Sequence, residues 1–196
     1  MQKIDGGITA PQGFKAAGVK AGIKKSGRED LAVIYSATPA SAAALFTTNA
    51  MAAAGVHVSR RVAARGKAQA IVVNSGCANS CTGEQGLADA LAMAHIAAAE
   101  LGLADEEVFV ASTGIIGVNL PMDKVADGIR KAAAKSLSAV AIRTASQSTC
   151  SRTARAAGSS AAKSQWCSLS DRSFSATTSV GGSTGIRIAS TSITSA

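Results

Sequence analysis

Ala70-Ile-Val-Val-Asn-Ser-Gly-Cys-Ala-Asn-Ser-Cys-Thr-Gly-Glu-Gln-Gly86 opens as an apolar, β-branched run, passes through a small polar turn and ends where a helix can begin. The same order recurs in Val108-Phe-Val-Ala-Ser-Thr-Gly-Ile-Ile-Gly-Val-Asn-Leu-Pro-Met-Asp-Lys124. Buried-type strands that feed Gly-rich turns and then helices predict an α/β or α+β chain with sheet covered by helix. Turns of this kind are also how a scaffold aims backbone N–H groups at a reacting atom.

Working outward, Leu31–Ser36, Gly55–Ser59, Gln69–Asn74 and Val108–Ala111 read as short strands, rich in β-branched residues and bounded by Gly, Pro or Asn. Between the last two, Thr82-Gly-Glu-Gln85 has the spacing of a capping box. Leu87, Ala90, Leu91, Ala94, Ala98 and Leu101 then recur at helical intervals, and Gly102 is placed to end the helix. Pro121 announces a second helix, carried by Met122, Val125, Ile129 and Ala133 to about Leu137.

The chain has 196 residues, 47% of them hydrophobic and only six aromatic, so a core must be built from Ala, Val, Ile and Leu. No run of 18 apolar residues and no apolar signal segment follows Met1, which makes the cytoplasm the expected address and a membrane an unexpected partner. Cys77 and Cys81 lie in the first turn, and Cys150 and Cys167 in sequence of different character; reduced, unpaired thiols are the expectation. His57 and His95 are isolated, in apolar settings, and read as structural; neither supplies a metal-ligand pair.

The net charge of +8 is unevenly spread. Residues 1–136 hold 14 Lys/Arg against 11 Asp/Glu, whereas residues 137–196 hold six against Asp171 alone. Those basic residues are scattered among Ser and Thr with little aromatic interleaving, so nucleic acid is not an expected partner. The last 60 positions contain 16 Ser and 8 Thr with no sustained apolar periodicity. Two regions are therefore expected: a structured region over residues 1–136 and a divergent Ser/Thr-rich tail over 137–196.

Six ordered runs in the first 136 residues carry a family resemblance. They are Gly6-Gly-Ile-Thr-Ala-Pro-Gln-Gly-Phe-Lys-Ala-Ala-Gly18, Gly22-Ile-Lys-Lys-Ser-Gly27, Leu45-Phe-Thr-Thr-Asn49, Val73-Asn-Ser-Gly76 with Ala78-Asn79, Cys81-Thr-Gly-Glu-Gln-Gly86, and Ala111-Ser-Thr-Gly-Ile-Ile-Gly117 with Leu120-Pro-Met-Asp-Lys124. This region resembles the N-terminal part of the glutamate N-acetyltransferase, or ornithine acetyltransferase, family of arginine biosynthesis. The resemblance implies a layered α/β sandwich of the self-cleaving type, incomplete in this chain. It also implies acetyl transfer from N-acetylornithine, and in bifunctional members from acetyl-CoA as a substrate, to glutamate through an acetyl-enzyme. No resident cofactor or metal is implied. In the family the precursor cleaves itself at an Ala-Thr bond, the freed threonine is the nucleophile with its own α-amino group as base, and the two segments associate into a heterotetramer.

Residue by residue, Thr113 and Gly114 match the family's oxyanion-hole pair. From spacing alone, Ser112-Thr-Gly114 reads rather as a tight strand-to-helix turn, and it is the neighbouring matches that favour the oxyanion role. Asn74, Gly76 and Asn79 shape the other turn, and Cys77, where the family leads one to expect Asn, either packs as a small thiol or changes the loop's hydrogen bonding. Ala141-Ile-Arg-Thr144 is similar to the approach to the family's Thr-Thr-Asp-Thr segment, which names Thr144 as a substrate-binding candidate, although Ala145-Ser-Gln147 departs from it. The Lys-Gly-Ser-Gly-Met and Ala-Thr-Met-Leu segments are absent, and Ala176-Thr177 stands in unmatched surroundings. The expectation is a chain that supplies the oxyanion hole without its nucleophile, inactive alone, with residues from about Ser138 an out-of-frame or foreign reading. The alternative is a catalytically inactive subunit acting as a structural or binding partner.

Overall fold

The computed structural model describes residues 7–138 and the backbone of two further strands. In chain order these residues form β1 (Phe14–Val19), β2 (Leu31–Phe46), α1 (Ala54–Ala64), β3 (Lys67–Cys77) and α2 (Gly83–Leu101). A single 3-10 turn at Asp105–Glu107 leads into β4 (Val108–Ile115), followed by α3 (Met122–Leu137), β5 (Phe174–Val180) and β6 (Thr184–Ser190). The chain is thus mixed α/β, as its strand-turn-helix pattern predicts.

The strands make one sheet in the order β4-β3-β2-β6-β5. The sixteen-residue β2 pairs with β1 along Leu31–Ser36, with β6 along Ser41–Phe46 and with β3 along its other edge, all antiparallel. Strands β3 and β4 are parallel, from Ala70 opposite Val108 to Gly76 opposite Gly114, with α2 as the crossover that parallel neighbours require. The two Gly-rich turns therefore emerge side by side at the C-terminal ends of adjacent parallel strands, where α/β sheets place their ligands.

Alternation along the strands sends side chains to two cores. Leu31, Val33, Ala70, Val72, Val108 and Val110 pack with Met93, Ala97, Val125 and Ile129 of α2 and α3. Ile34, Ile71 and Phe109 point to the opposite face, with Phe14, Ala16 and Val62. The small residues of α2 and α3 let both helices lie close to the sheet, which is how a chain with so few aromatics fills its interior.

Several expectations need correction. Gly55–Ser59 is the first turn and a half of α1, not a strand. Its alternating valines suggest a pleat, but the face formed by Gly55, Ser59 and Val62 docks on β4, and tertiary packing overrides the local preference. The strand seen at Leu31–Ser36 continues to Phe46, through a register shift between Tyr35 and Ala40 that accommodates Pro39. On α2, Gly102 is the left-handed C-cap at φ 67°, as expected, but the capping box is not formed. The Thr82 hydroxyl donates instead to Asn79 Oδ1 at 2.8 Å. Leu91 is exposed, and Met93 and Ala97 take the buried stripe in its place. Among the described residues no helix is long and apolar enough to cross a membrane.

Candidate functional site

The β3 turn is built by two asparagines. Asn74 is fully buried and its Nδ2 donates to Cys77 O at 3.0 Å, folding the strand end back on itself. Asn79 adopts φ 48°, donates from Nδ2 to Gly86 O at 2.8 Å, and offers its own carbonyl to Ala54 N–H at 3.2 Å. One residue thus ties the turn to the starts of both α1 and α2. Cys77 packs as a small buried thiol, which donates to Val118 O at 3.1 Å. Cys77 and Cys81 are free thiols, the second exposed.

The β4 turn leans directly on this one. Gly114 has φ 141°, and a Cβ there would fall on the Gly76 carbonyl carbon and 2.5 Å from Cys77 N. Glycine is required at this position because backbone meets backbone. Two cross-bonds close the pair of turns, from Ala78 N–H to Ile115 O at 2.9 Å and from Gly117 N–H to Ser80 O at 2.9 Å.

Strand β4 is the edge of the sheet, and its outer edge is finished by one side chain. Ser59 Oγ, fully buried on α1, donates to Val110 O at 2.8 Å and accepts from Val110 N–H at 3.1 Å. Alternation along the strand carries the N–H groups of Ser112 and Gly114 to that same edge. Beyond Ser59 the edge opens into a cavity of about 230 Å³. Its polar lining comes from Thr113, Ser112, Ser80, Thr47 and Asn49, and Ala53, Gly55 and Val56 at the start of α1 also line it. The α1 N-terminus has no side-chain cap and no acidic residue in its first turn; its first N–H groups are met by backbone, Ala54 N–H by Asn79 O at 3.2 Å and Val56 N–H by Ala53 O at 2.9 Å.

Thr113 and Gly114, named from sequence, are thus brought together at one cavity, with the Thr113 side chain half-buried and Gly114 exposed. Thr144, Ala176-Thr177 and the tail cysteines are different: Thr144, Cys150 and Cys167 lie outside the described residues, and only the backbone of Ala176 and Thr177 is described. The histidines are not in apolar settings. Both are exposed on the outer faces of their helices, and His95 Nδ1 meets Asp105 Oδ2 at 3.0 Å. Sequence reasoning missed the loop at Thr47–Ala53 as a wall of the site. Its signal was the run Thr47-Thr-Asn49, which folds into successive side-chain turns: Thr47 Oγ1 accepts from Asn49 N–H and Asn49 Oδ1 from Met51 N–H.

Residues 15–166 match the model of the ArgJ family. The chain belongs to the ArgJ family. Relatives named arginine biosynthesis bifunctional protein ArgJ include one from Caldanaerobacter subterraneus subsp. tengcongensis, 54% identical over 133 residues, and one from Symbiobacterium thermophilum, 52% identical over 136. Each match covers 68% of this chain but 33% and 34% of the relative, so the chain spans about a third of the length of the curated relatives it matches.

Two solved structures share the ArgJ fold. The ArgJ protein of Bacillus halodurans is 44% identical, with a TM-score of 0.62 over 64% of this chain and 66% of that one. The ornithine acetyltransferase of Mycobacterium tuberculosis, solved in complex with ornithine, is 43% identical, with a TM-score of 0.63 over 66% and 70%.

Proposed function

We propose that this chain contributes the oxyanion-binding half of an acetyl-transfer site in arginine biosynthesis, moving an acetyl group from N-acetylornithine to glutamate. The observation that carries the reading is the Thr113–Gly114 turn, held against Gly76 and Cys77 in the wall of the cavity. When a nucleophile attacks the acetyl carbonyl, the carbon becomes tetrahedral and its oxygen gains negative charge. The Thr113 hydroxyl and the Gly114 N–H are donors of the kind that stabilise that charge, and their fixed placement means no reorganisation is needed as it develops. The C–N bond to ornithine then breaks, the ornithine amine leaves with the proton taken from the nucleophile, and the amine of glutamate collects the acetyl group in the reverse sequence.

In this reading the nucleophile is a threonine released at the N-terminus of a second segment by self-cleavage, lying outside residues 7–138. The working assembly pairs this segment with that one, as a heterotetramer, in the cytoplasm. Acetyl-CoA serves as an alternative donor substrate, no resident cofactor takes part, and Thr144 would contact substrate.

Co-expressing this chain with the part of the Caldanaerobacter relative that lies outside the match tests the proposal. Ornithine release from N-acetylornithine and glutamate is expected, and Thr113→Ala should lower kcat by about 10²–10³-fold. Equal turnover by wild type and variant would remove Thr113 from the reaction. A second reading is favoured by the exposure of Met51, Ile115, Ile116 and Val118 around the cavity, a surface suited to a protein partner. There the chain is an inactive structural subunit, and intact-mass measurement after incubation with N-acetylornithine would find no acetyl adduct on the co-expressed assembly.

A further inference from the structure

Asp30 is 1% exposed and bonded at every polar atom, yet it touches nothing in the cavity. Its Oδ1 accepts from Ala21 N–H at 2.7 Å, and Oδ2 accepts from Ile23 and Lys24 N–H at 2.7 and 2.8 Å. Its backbone N–H donates to Val19 O at 3.1 Å, and its carbonyl accepts from Ser75 N–H at 2.7 Å. One residue therefore grips the loop between β1 and β2 with its side chain and the approach to the β3 turn with its backbone.

The loop it grips stands behind the site. A Cβ on Gly76, which has φ 117°, would lie 2.9 Å from Ile23 Cγ2 and 3.1 Å from Lys24 Cγ. Gly76 in turn is the surface against which Gly114 is pressed. Helix α3 holds the same loop elsewhere: Lys124 Nζ donates to Gly22 O at 3.2 Å, and Gly128 makes room for Ala21. Those contacts reach Ala21 and Gly22. The N–H groups of Ile23 and Lys24, the residues that back Gly76, rest on Asp30 Oδ2.

We propose that Asp30 is a positioning residue for the Thr113–Gly114 turn, acting through Ile23, Lys24 and Gly76. The proposal rests on the oxyanion reading for its catalytic meaning, but its mechanical content stands apart. Asp30→Ala removes all three accepted bonds, whereas Asp30→Asn can set its amide oxygen where Oδ2 stands, keep the bonds from Ile23 and Lys24 and lose only that from Ala21.

Hydrogen exchange followed by mass spectrometry on the full chain tests this. In Asp30→Ala, exchange should rise by about tenfold or more in peptides covering residues 20–26 and also 112–118, with residues 83–101 of α2 unchanged. A rise confined to residues 20–26 overturns the proposal and leaves Asp30 a local loop staple. Should α2 loosen as well, Ile23→Ala decides, because it removes the contact with Gly76 and spares the carboxylate. Faster exchange at 112–118 in that variant supports the coupling, and none overturns it. In the co-expressed enzyme, Asp30→Ala should lower kcat with KM held. If exchange at 112–118 responds and kcat does not, the coupling stands and the oxyanion reading fails.

Discussion

At Gly114 the backbone conformation and the carbonyl of Gly76 together leave no place for a side chain. Gly117, three residues on, has φ 77° and open space around it. Gly117→Ala should therefore cost only the left-handed strain, about 1 kcal/mol, and Gly114→Ala at least about 2 kcal/mol, because backbone cannot step aside as a side chain can. Urea midpoints at constant m-value measure both; equal losses would mean that the contact with Gly76 is not tight. These turns were legible in the sequence because Gly and Asn mark left-handed backbone directly. Asp30 was not, because nothing local distinguishes a carboxylate that caps a loop from one that faces water. The exposure of His57 and His95 was likewise hidden in the Ala- and Val-rich runs around them.

Among the elements, β3, α2 and β4 were readable as a unit, since each carries its own period and its own stop signal. Strand β1 lacks β-branched residues until Val19, and β2 runs on through Pro39 and a row of alanines, so neither announces its length. Helix α1 was hidden for the opposite reason, its valines alternating as a strand's would. What decides it is the fit of Gly55 and Ser59 against Val110, a contact across the fold. Ser59→Ala would strip both the N–H and the carbonyl of Val110 of their partner in a buried setting. The expected loss is about 1–3 kcal/mol, read as a lower urea midpoint, with Ser59→Thr tested alongside for retention of the hydroxyl. A shift below a few tenths would show that the β4 edge finds another donor.

For the molecule as a whole, family membership and the α/β class were legible from the first 136 residues. Met51 and Ile116 line the cavity, and Ile115 and Val118 flank Ile116, all exposed in the isolated chain. Apolar surface gathered at one place drives association. Sedimentation velocity should show mass rising with concentration for the wild-type chain, and Ile116→Ser should shift the distribution toward monomer. A wild-type chain that stays monomeric at high concentration would mean that this face is not a docking surface.

The parallel pairing of β3 with β4 has a consequence in time. Its partners are joined through α2 and one 3-10 turn, so Gly76 meets Gly114 over a short stretch of chain, whereas Ala44 waits for Ile186. Local contacts close sooner than distant ones. During synthesis, the two turns can lock together before β6 is complete, so the last strands meet a pair of turns already in place.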